Sequence, residues 1–139
     1  MSLDNEQNSD SVNMNVSHNQ NQQNLMMNYN DPYFLSSADS MNASLTPHVF
    51  TGSNFINWSR SVKVALVGRN KLGFINGALK KLAEDSSDFQ KWIRNDSVVM
   101  SWLMNSMEKS MAEDFIFINT SEELWKEVCE RFGHTNVPR

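Results

Sequence analysis

The 139-residue sequence has few of the residues that mark cross-linked, metal-bound or membrane-inserted proteins. Its single cysteine, Cys129, excludes a disulfide framework and a cysteine metal site, and it favours a reducing, intracellular compartment, with the cytoplasm as the expected one. No apolar run approaches the roughly 20 residues that cross a bilayer. The N-terminus lacks the basic and apolar regions of a signal peptide. We therefore expect no membrane partner.

Basic residues are absent from the first part of the chain. Residues 1–47 contain no Lys or Arg, five acids and fourteen Asn or Gln. So polar a segment buries too little apolar surface to offset the entropy of ordering its backbone. We predict a disordered Asn/Gln/Ser-rich tail over residues 1–46, with at most loose docking of its last third, and one helical domain over residues 47–139. That domain carries twelve basic residues and eleven acids, so the net charge of −4 belongs to the tail.

Sequence patterns typical of an enzyme are also missing. The chain has no GxxxxGK[ST] or GxGxxG phosphate loop, no HExxH, no GxSxG and no Cys/His metal spacing. His48 has no neighbour of metal-ligand type. We predict that the protein is not an enzyme and has no catalytic residue, no cofactor, no metal and no small-molecule substrate.

Apolar residues at helical spacing are what the sequence does contain. From Phe55 to Leu66 they recur on one face of a helix, which we expect to begin at a Ser53 N-cap and to end in a left-handed conformation at Gly68. Phe50 is placed to pack onto the start of this helix. A turn, Gly73 to Gly77, follows.

Three further helices are predicted downstream. One begins near Asp88, after a Ser87/Gln90 capping box, and runs to about Ser106. Its apolar residues lie on two sides, which is typical of a helix packed between neighbours. A shorter helix covers roughly residues 110–118, and the last begins at a Thr120/Glu123 capping box and ends at Gly133. The predicted fold is all-α, with about four helices.

Aromatic and apolar residues on these helical faces define the predicted core. They are Phe55, Trp58, Leu66, Phe74, Trp92, Trp102, Trp125 and Phe132. Asp96 lies within the apolar face of the longest helix. Because a buried carboxylate is costly unless it is paired, we predict that it accepts hydrogen bonds or forms an ion pair, with Arg60 or Lys63 as the candidate partners. A general acid or base is the alternative, but no second carboxylate, His or nucleophile is spaced to work with it.

Basic residues occur as short local pairs. Arg69 with Lys71, and Lys80 with Lys81, are the candidate nucleic-acid contacts. The near-neutral domain argues against strong phosphate binding, which requires clustered Lys and Arg. A weak nucleic-acid-binding helical module is therefore the alternative to a domain that binds protein.

Several short motifs occur in order along the chain. They are Gly52-Ser53-Asn54-Phe55-x-x-Trp58, Lys71-Leu72-Gly73-Phe74-Ile75-x-Gly77, Ser101-Trp102-Leu103-x-Asn105-Ser106, and Leu124-Trp125 with Arg131-Phe132. Over roughly residues 45–139 the sequence resembles the N-terminal domain of plant Copia-type retrotransposon Gag polyproteins. The resemblance implies a small capsid-like helical bundle of a transposable element, a homo-oligomer that self-associates into particles around element RNA and performs no chemistry.

The chain departs from the family pattern in several places. Asn76 stands where an Asp is common, and Met107-Glu108-Lys109 replaces a Pro-containing helix start. The zinc-knuckle, protease, integrase and reverse-transcriptase parts are missing. We therefore expect a fragment or truncated remnant that binds RNA only weakly.

Overall fold

A computed structural model describes residue 19 and residues 30–133 of the chain. The chain separates into two units, residues 1–34 and residues 35–139. In the first unit, residues 31–34 form a turn in which the Phe34 N–H donates to the Asp31 carbonyl at 3.0 Å and the Tyr33 N–H donates to the Asp31 carboxylate at 2.9 Å. Most of the predicted tail, and residues 134–139, lie outside the described residues.

The second unit is all-α in its described part, as the sequence predicted. Its helices are α1 Phe55–Gly68, α2 Gly73–Asn76, α3 Phe89–Asn105, α4 Lys109–Glu113 and α5 Ser121–Phe132. Helix α5 packs against α2 and α3, and α3 also contacts α4. Helix α2 was expected as a turn, because four residues are too few to show a helical period. A single parallel bridge joins Phe50 to Met107 within the described residues.

Both ends of α1 differ from the prediction. The N-cap is Asn54 rather than Ser53. Its side-chain amide holds the preceding segment, since Oδ1 accepts from the Thr51 N–H at 2.9 Å and Nδ2 donates to the Val49 carbonyl at 3.0 Å. At the other end α1 includes Gly68, and the left-handed residue is Asn70, with φ 57°. Asparagine tolerates this conformation better than most residues do.

One of the two predicted capping boxes has its N-cap bond. At the start of α5 the Thr120 hydroxyl accepts from the Glu123 N–H at 3.2 Å. At α3 the Ser87/Gln90 box is wrong: the N-cap is Asp88, which makes no side-chain cap bond. The side-chain bond at this end of the helix comes instead from the preceding turn, where the Ser86 hydroxyl accepts from the Asp88 N–H at 3.3 Å.

Helix α4 is shorter than the predicted helix over 110–118. It ends at Glu113, and the chain continues in turns in which the Phe115 N–H donates to the Ala112 carbonyl and the Ile118 N–H donates to the Phe115 carbonyl, both at 3.1 Å. Phe115 is buried. The apolar residues that predicted one helix therefore lie on a short helix and on the turn that follows it.

Helix α3 is buried on two sides, as its apolar pattern predicted. The buried apolar residues are Trp92, Val98, Val99, Trp102 and Leu103. The Trp92 indole N–H donates to the Leu79 carbonyl at 2.9 Å, and the Trp102 indole N–H donates to the Ser40 carbonyl at 2.7 Å. Each indole thus satisfies its polar atom by holding an irregular segment against the helix.

Residues 40–46 pack on the helices, although we predicted them as part of the disordered tail. Leu45 is buried, the Arg69 guanidinium donates to the Ser44 carbonyl at 2.7 Å, and the Asn105 amide donates to the Met41 carbonyl at 3.3 Å. The composition concealed this packing because backbone carbonyls, which every residue carries, make the polar contacts. Residues on the N-terminal side of the predicted boundary therefore contact the helices.

Candidate functional site

Five aromatic rings form one cluster, contributed by α1, by α5 and by residues 47–50 before α1, which we call the lead-in segment. Phe50 is fully buried at its centre, stacked on Trp58 with ring centroids 4.3 Å apart and edge-on to Phe132 at 5.0 Å. Phe55 lies 6.0 Å from Phe50, and Trp125 lies 5.5 Å from Trp58. The cluster fixes α1 and α5 against each other, so it is a packing site.

The eight predicted core residues lie at two depths. Five are buried: Trp58, Leu66, Phe74, Trp92 and Trp102. Phe55, Trp125 and Phe132 stay half-buried, because they lie at the margin of the cluster. The sequence indicated only a supporting role for Phe50, since this residue lies in an irregular segment with no helical period; the staple pattern before α1 was its one signal.

Ser106, which ends α3, connects three segments through buried hydrogen bonds. Its hydroxyl accepts from the Trp58 indole N–H at 3.1 Å and donates to the Leu103 carbonyl at 2.6 Å. Its carbonyl accepts from the Phe50 N–H at 2.8 Å. The end of α3 is thereby fixed to α1 and to the lead-in segment. Sequence reasoning did not single out this serine.

Asp96 is 5% exposed and is bonded to Ser121, at the start of α5. The Ser121 N–H donates to the carboxylate at 3.2 Å, and the Ser121 hydroxyl donates to the Asp96 backbone carbonyl at 3.0 Å. Burial raises the pKa of the Asp96 carboxyl above its ordinary value, against the opposing effect of the Ser121 bonds. The expected ion pair with Arg60 or Lys63 is absent among the described residues, since both cations are exposed on α1.

The four candidate nucleic-acid contacts do not form one exposed basic surface. Lys71 is 0% exposed, and its backbone N–H donates to the Leu66 carbonyl at 2.8 Å. Arg69 is half-buried, with its guanidinium 4.4 Å from the Trp102 ring centroid. Lys80 forms an exposed ion pair with Glu122 at 3.6 Å, and Lys81 is exposed. The expectation for Lys71 is therefore corrected.

The part of the chain that the structure describes offers few groups suited to metal binding, membrane insertion or nucleophilic chemistry. No group of three or more His, Cys, Asp or Glu there is arranged to hold a metal ion. None of the helices in residues 30–133 combines the length and apolarity needed to span a bilayer. Burial raises the pKa of the Cys129 thiol, which keeps it protonated and a weak nucleophile.

Comparison with protein families gives one match. Residues 36–81 match the family model described as Gag-polypeptide of LTR copia-type. Over these residues the chain is similar to copia-type Gag. The match covers 46 of the 139 residues and includes residues 40–46, which pack on the helices, together with α1 and α2. No curated protein and no solved structure matches the chain.

In the matched region, the outer side of α1 mixes apolar and basic residues. Ile56, Val64 and Val67 are 54%, 57% and 61% exposed, and Arg60 and Lys63 lie exposed between them. The spacing of these five residues places them on one side of the helix, opposite the buried Trp58, Val62 and Leu66. We call these five residues the α1 face.

A second exposed apolar group follows α4. Phe117 is 93% exposed and Ile116 is 61% exposed. The turn that carries them is anchored by the buried Phe115, whose ring lies 4.8 Å from the Arg131 guanidinium. We call residues 113–117 the Phe117 turn. The buried Phe115 thus holds the turn in place, while the side chains of Ile116 and Phe117 face solvent.

Proposed function

We propose that this protein is a non-enzymatic structural domain of copia-type Gag that associates with further copies of itself. The observation that carries the proposal is the pairing of a copia-type Gag match with large apolar side chains left exposed on α1 and on the Phe117 turn. Singly scattered apolar residues are normal on a protein surface, whereas grouped ones mark interaction sites. Assembly into larger particles is the corresponding role of a Gag protein.

The same proposal covers the division of the chain and its environment. Residues before 36 form a leader, and residues 36–133 hold the associating domain. A lone cysteine, which has no partner for a disulfide within the chain, suits a reducing, intracellular site of action. The buried Asp96 is bonded to Ser121 at the start of α5, and the buried Ser106 hydroxyl is bonded to the Trp58 indole, which supports a structural role for both.

RNA binding by this segment is the weaker candidate. Of its four proposed contacts Lys71 is buried, and Arg69 is engaged with Ser44 and Trp102. Phosphate recognition depends on several accessible cations and weakens steeply as salt rises. Lys80 and Lys81 alone offer too little positive charge for tight binding.

Sedimentation velocity of the full chain, with and without RNA and at low and high salt, tests the proposal. We expect oligomers that form without RNA and persist at high salt, because apolar contacts are not screened. A monomer that binds RNA at low salt only would favour the nucleic-acid module. A monomer indifferent to RNA would overturn self-association.

A further inference from the structure

The α1 face carries positive charge only. Helix α1 contains Arg60 and Lys63 and has no acidic residue along its 14-residue length. Neither cation forms an ion pair among residues 30–133. The face therefore offers three exposed apolar side chains and a formal charge of +2 to whatever binds it.

The Phe117 turn and the helix before it carry the opposite charge. Residues 108–117 hold three acids, Glu108, Glu113 and Asp114, against Lys109, and all four are exposed. Asp114 pairs with Arg131 at 3.8 Å. Glu108 and Glu113 make no ion pair within the described residues. Phe117 thus projects from an acidic surface.

We propose that the α1 face of one copy binds the Phe117 turn of a second copy. This inference rests on the proposed self-association and names the two surfaces that would meet. Phe117 and Ile116 would bury themselves against Ile56, Val64 and Val67, while Glu113 would lie near Arg60 and Lys63. Apolar contact supplies the affinity, and opposite charge sets the register.

Charge excludes the like-with-like alternatives. Two α1 faces in contact would bring four cations together, and two Phe117 turns would oppose their acids, and such juxtapositions are unfavourable. A contact between two different patches is heterologous, so each copy keeps one patch of each kind available. Such contacts either close into a ring or continue to further copies.

A second copy fits the α1 face better than RNA does. A phosphate backbone is bound by clustered Lys and Arg, whereas this face has two cations among three aliphatic side chains. Valine and isoleucine also lack the aromatic surface on which unpaired bases stack. The Phe117 turn, by contrast, supplies both apolar groups and acids.

Paired variants of the full chain test the inference. Val64→Asp places an acid on the α1 face, and Phe117→Lys places a cation on the turn, so each should weaken self-association at least about tenfold. A mixture of the two should recover association, because the intact turn of one variant meets the intact α1 face of the other. Met41→Asp, at an apolar side chain 49% exposed and outside both patches, is the matched control and should associate as the wild type does.

The outcomes separate this inference from the proposed function. A wild-type chain that stays monomeric overturns both. If the wild type associates and Val64→Asp or Phe117→Lys does so equally well, the inference alone is overturned. Two weakened variants whose mixture fails to recover also overturn it, since the two patches then do not meet. Loss of RNA binding without loss of association in Val64→Asp would assign the α1 face to nucleic acid. Unchanged thermal melts of each variant establish that it folds.

Discussion

The ring of Phe50 lies stacked on the indole of Trp58, with an interplanar angle of 18° and 4.3 Å between centroids. The backbone of Phe50 is held on the other side by the segment after α3, since its carbonyl accepts from the Glu108 N–H at 3.0 Å and its N–H donates to the Ser106 carbonyl at 2.8 Å. One residue outside any helix therefore joins α1, the end of α3 and, through Phe132, α5.

Truncation of this central ring should be severely destabilising. We expect Phe50→Ala to lower the free energy of unfolding by about 3–5 kcal/mol, because it removes a fully buried aromatic and leaves a cavity. Phe117→Ala removes the same side chain from an exposed site and should change stability by less than about 0.5 kcal/mol. Urea denaturation of dilute protein measures both. Equal effects of the two substitutions would contradict the placement of Phe50.

Arg69 should hold residues 40–46 on the helices. Its guanidinium donates to the Ser44 carbonyl and covers the face of Trp102, whose N–H donates to Ser40. We expect Arg69→Ala to cost about 1–3 kcal/mol and to speed amide hydrogen exchange between residues 40 and 46. Arg69→Lys keeps the charge but loses the planar fork, so it should give an intermediate effect. Exchange rates that match the wild type in both variants would show that Arg69 does not anchor this segment.

Two glycines should respond in opposite directions to alanine. Gly77 has φ 84°, and an added Cβ there would lie 2.9 Å from a Glu122 carboxylate oxygen, so Gly77→Ala should destabilise by about 1 kcal/mol or more. Gly68 is the last residue of α1, with no atom near an added Cβ. Gly68→Ala should therefore stabilise by up to about 1 kcal/mol. Thermal melts compare the two, and a loss of stability at Gly68 would refute the helical assignment there.

Asp96 should make stability depend on pH. Its folded-state pKa lies above 3.8, so the folded chain binds this proton more tightly than the unfolded chain does. The contribution to the free energy of unfolding is then full below pH 3.8 and is lost as pH rises through the folded-state pKa. Asp96→Asn keeps an acceptor for the Ser121 N–H and does not titrate. As pH rises through the folded-state pKa of Asp96, this variant should therefore become more stable relative to the wild type.

Denaturation curves of wild type and variants at a series of pH values measure this effect. Asp96→Ala is the companion variant, because it leaves the buried Ser121 N–H without its acceptor and should be less stable than Asp96→Asn by about 1–3 kcal/mol at every pH. Parallel pH profiles of wild type and Asp96→Asn would contradict the raised pKa. Equal stabilities of the alanine and asparagine variants would contradict the Ser121 bond.

The regular parts of the fold were predictable because helical spacing is a local signal. The positions of α1, α3 and α5, and the Thr120 cap, follow from residues within a few positions of each other. Packing of residues 40–46 and the central place of Phe50 depend on partners more than 50 residues away, such as Trp102 and Ser106. No local pattern carries that information.

In the candidate site, too, the features that depend on local spacing could be predicted and those that depend on distant contacts could not. The α1 face is the complement of a predicted buried stripe, so its exposure could be inferred from the spacing alone. Phe117 was hidden because α4 ends at Glu113 and the following turn rotates Phe117 outward while Phe115 turns in. Lys71 was expected at the surface because charge in a sequence does not reveal whether a side chain is buried. The burial of Asp96 was predicted from the spacing, whereas its partner Ser121, 25 residues away, carries no local signal.

The weight-average mass of the full chain across a dilution series, measured by light scattering without RNA, addresses self-association most directly. We predict a mass that rises with concentration above the 16.0 kDa of a single chain and that falls back in Val64→Asp and Phe117→Lys but not in Met41→Asp. A mass of 16.0 kDa at every concentration would contradict the proposed self-association of this chain.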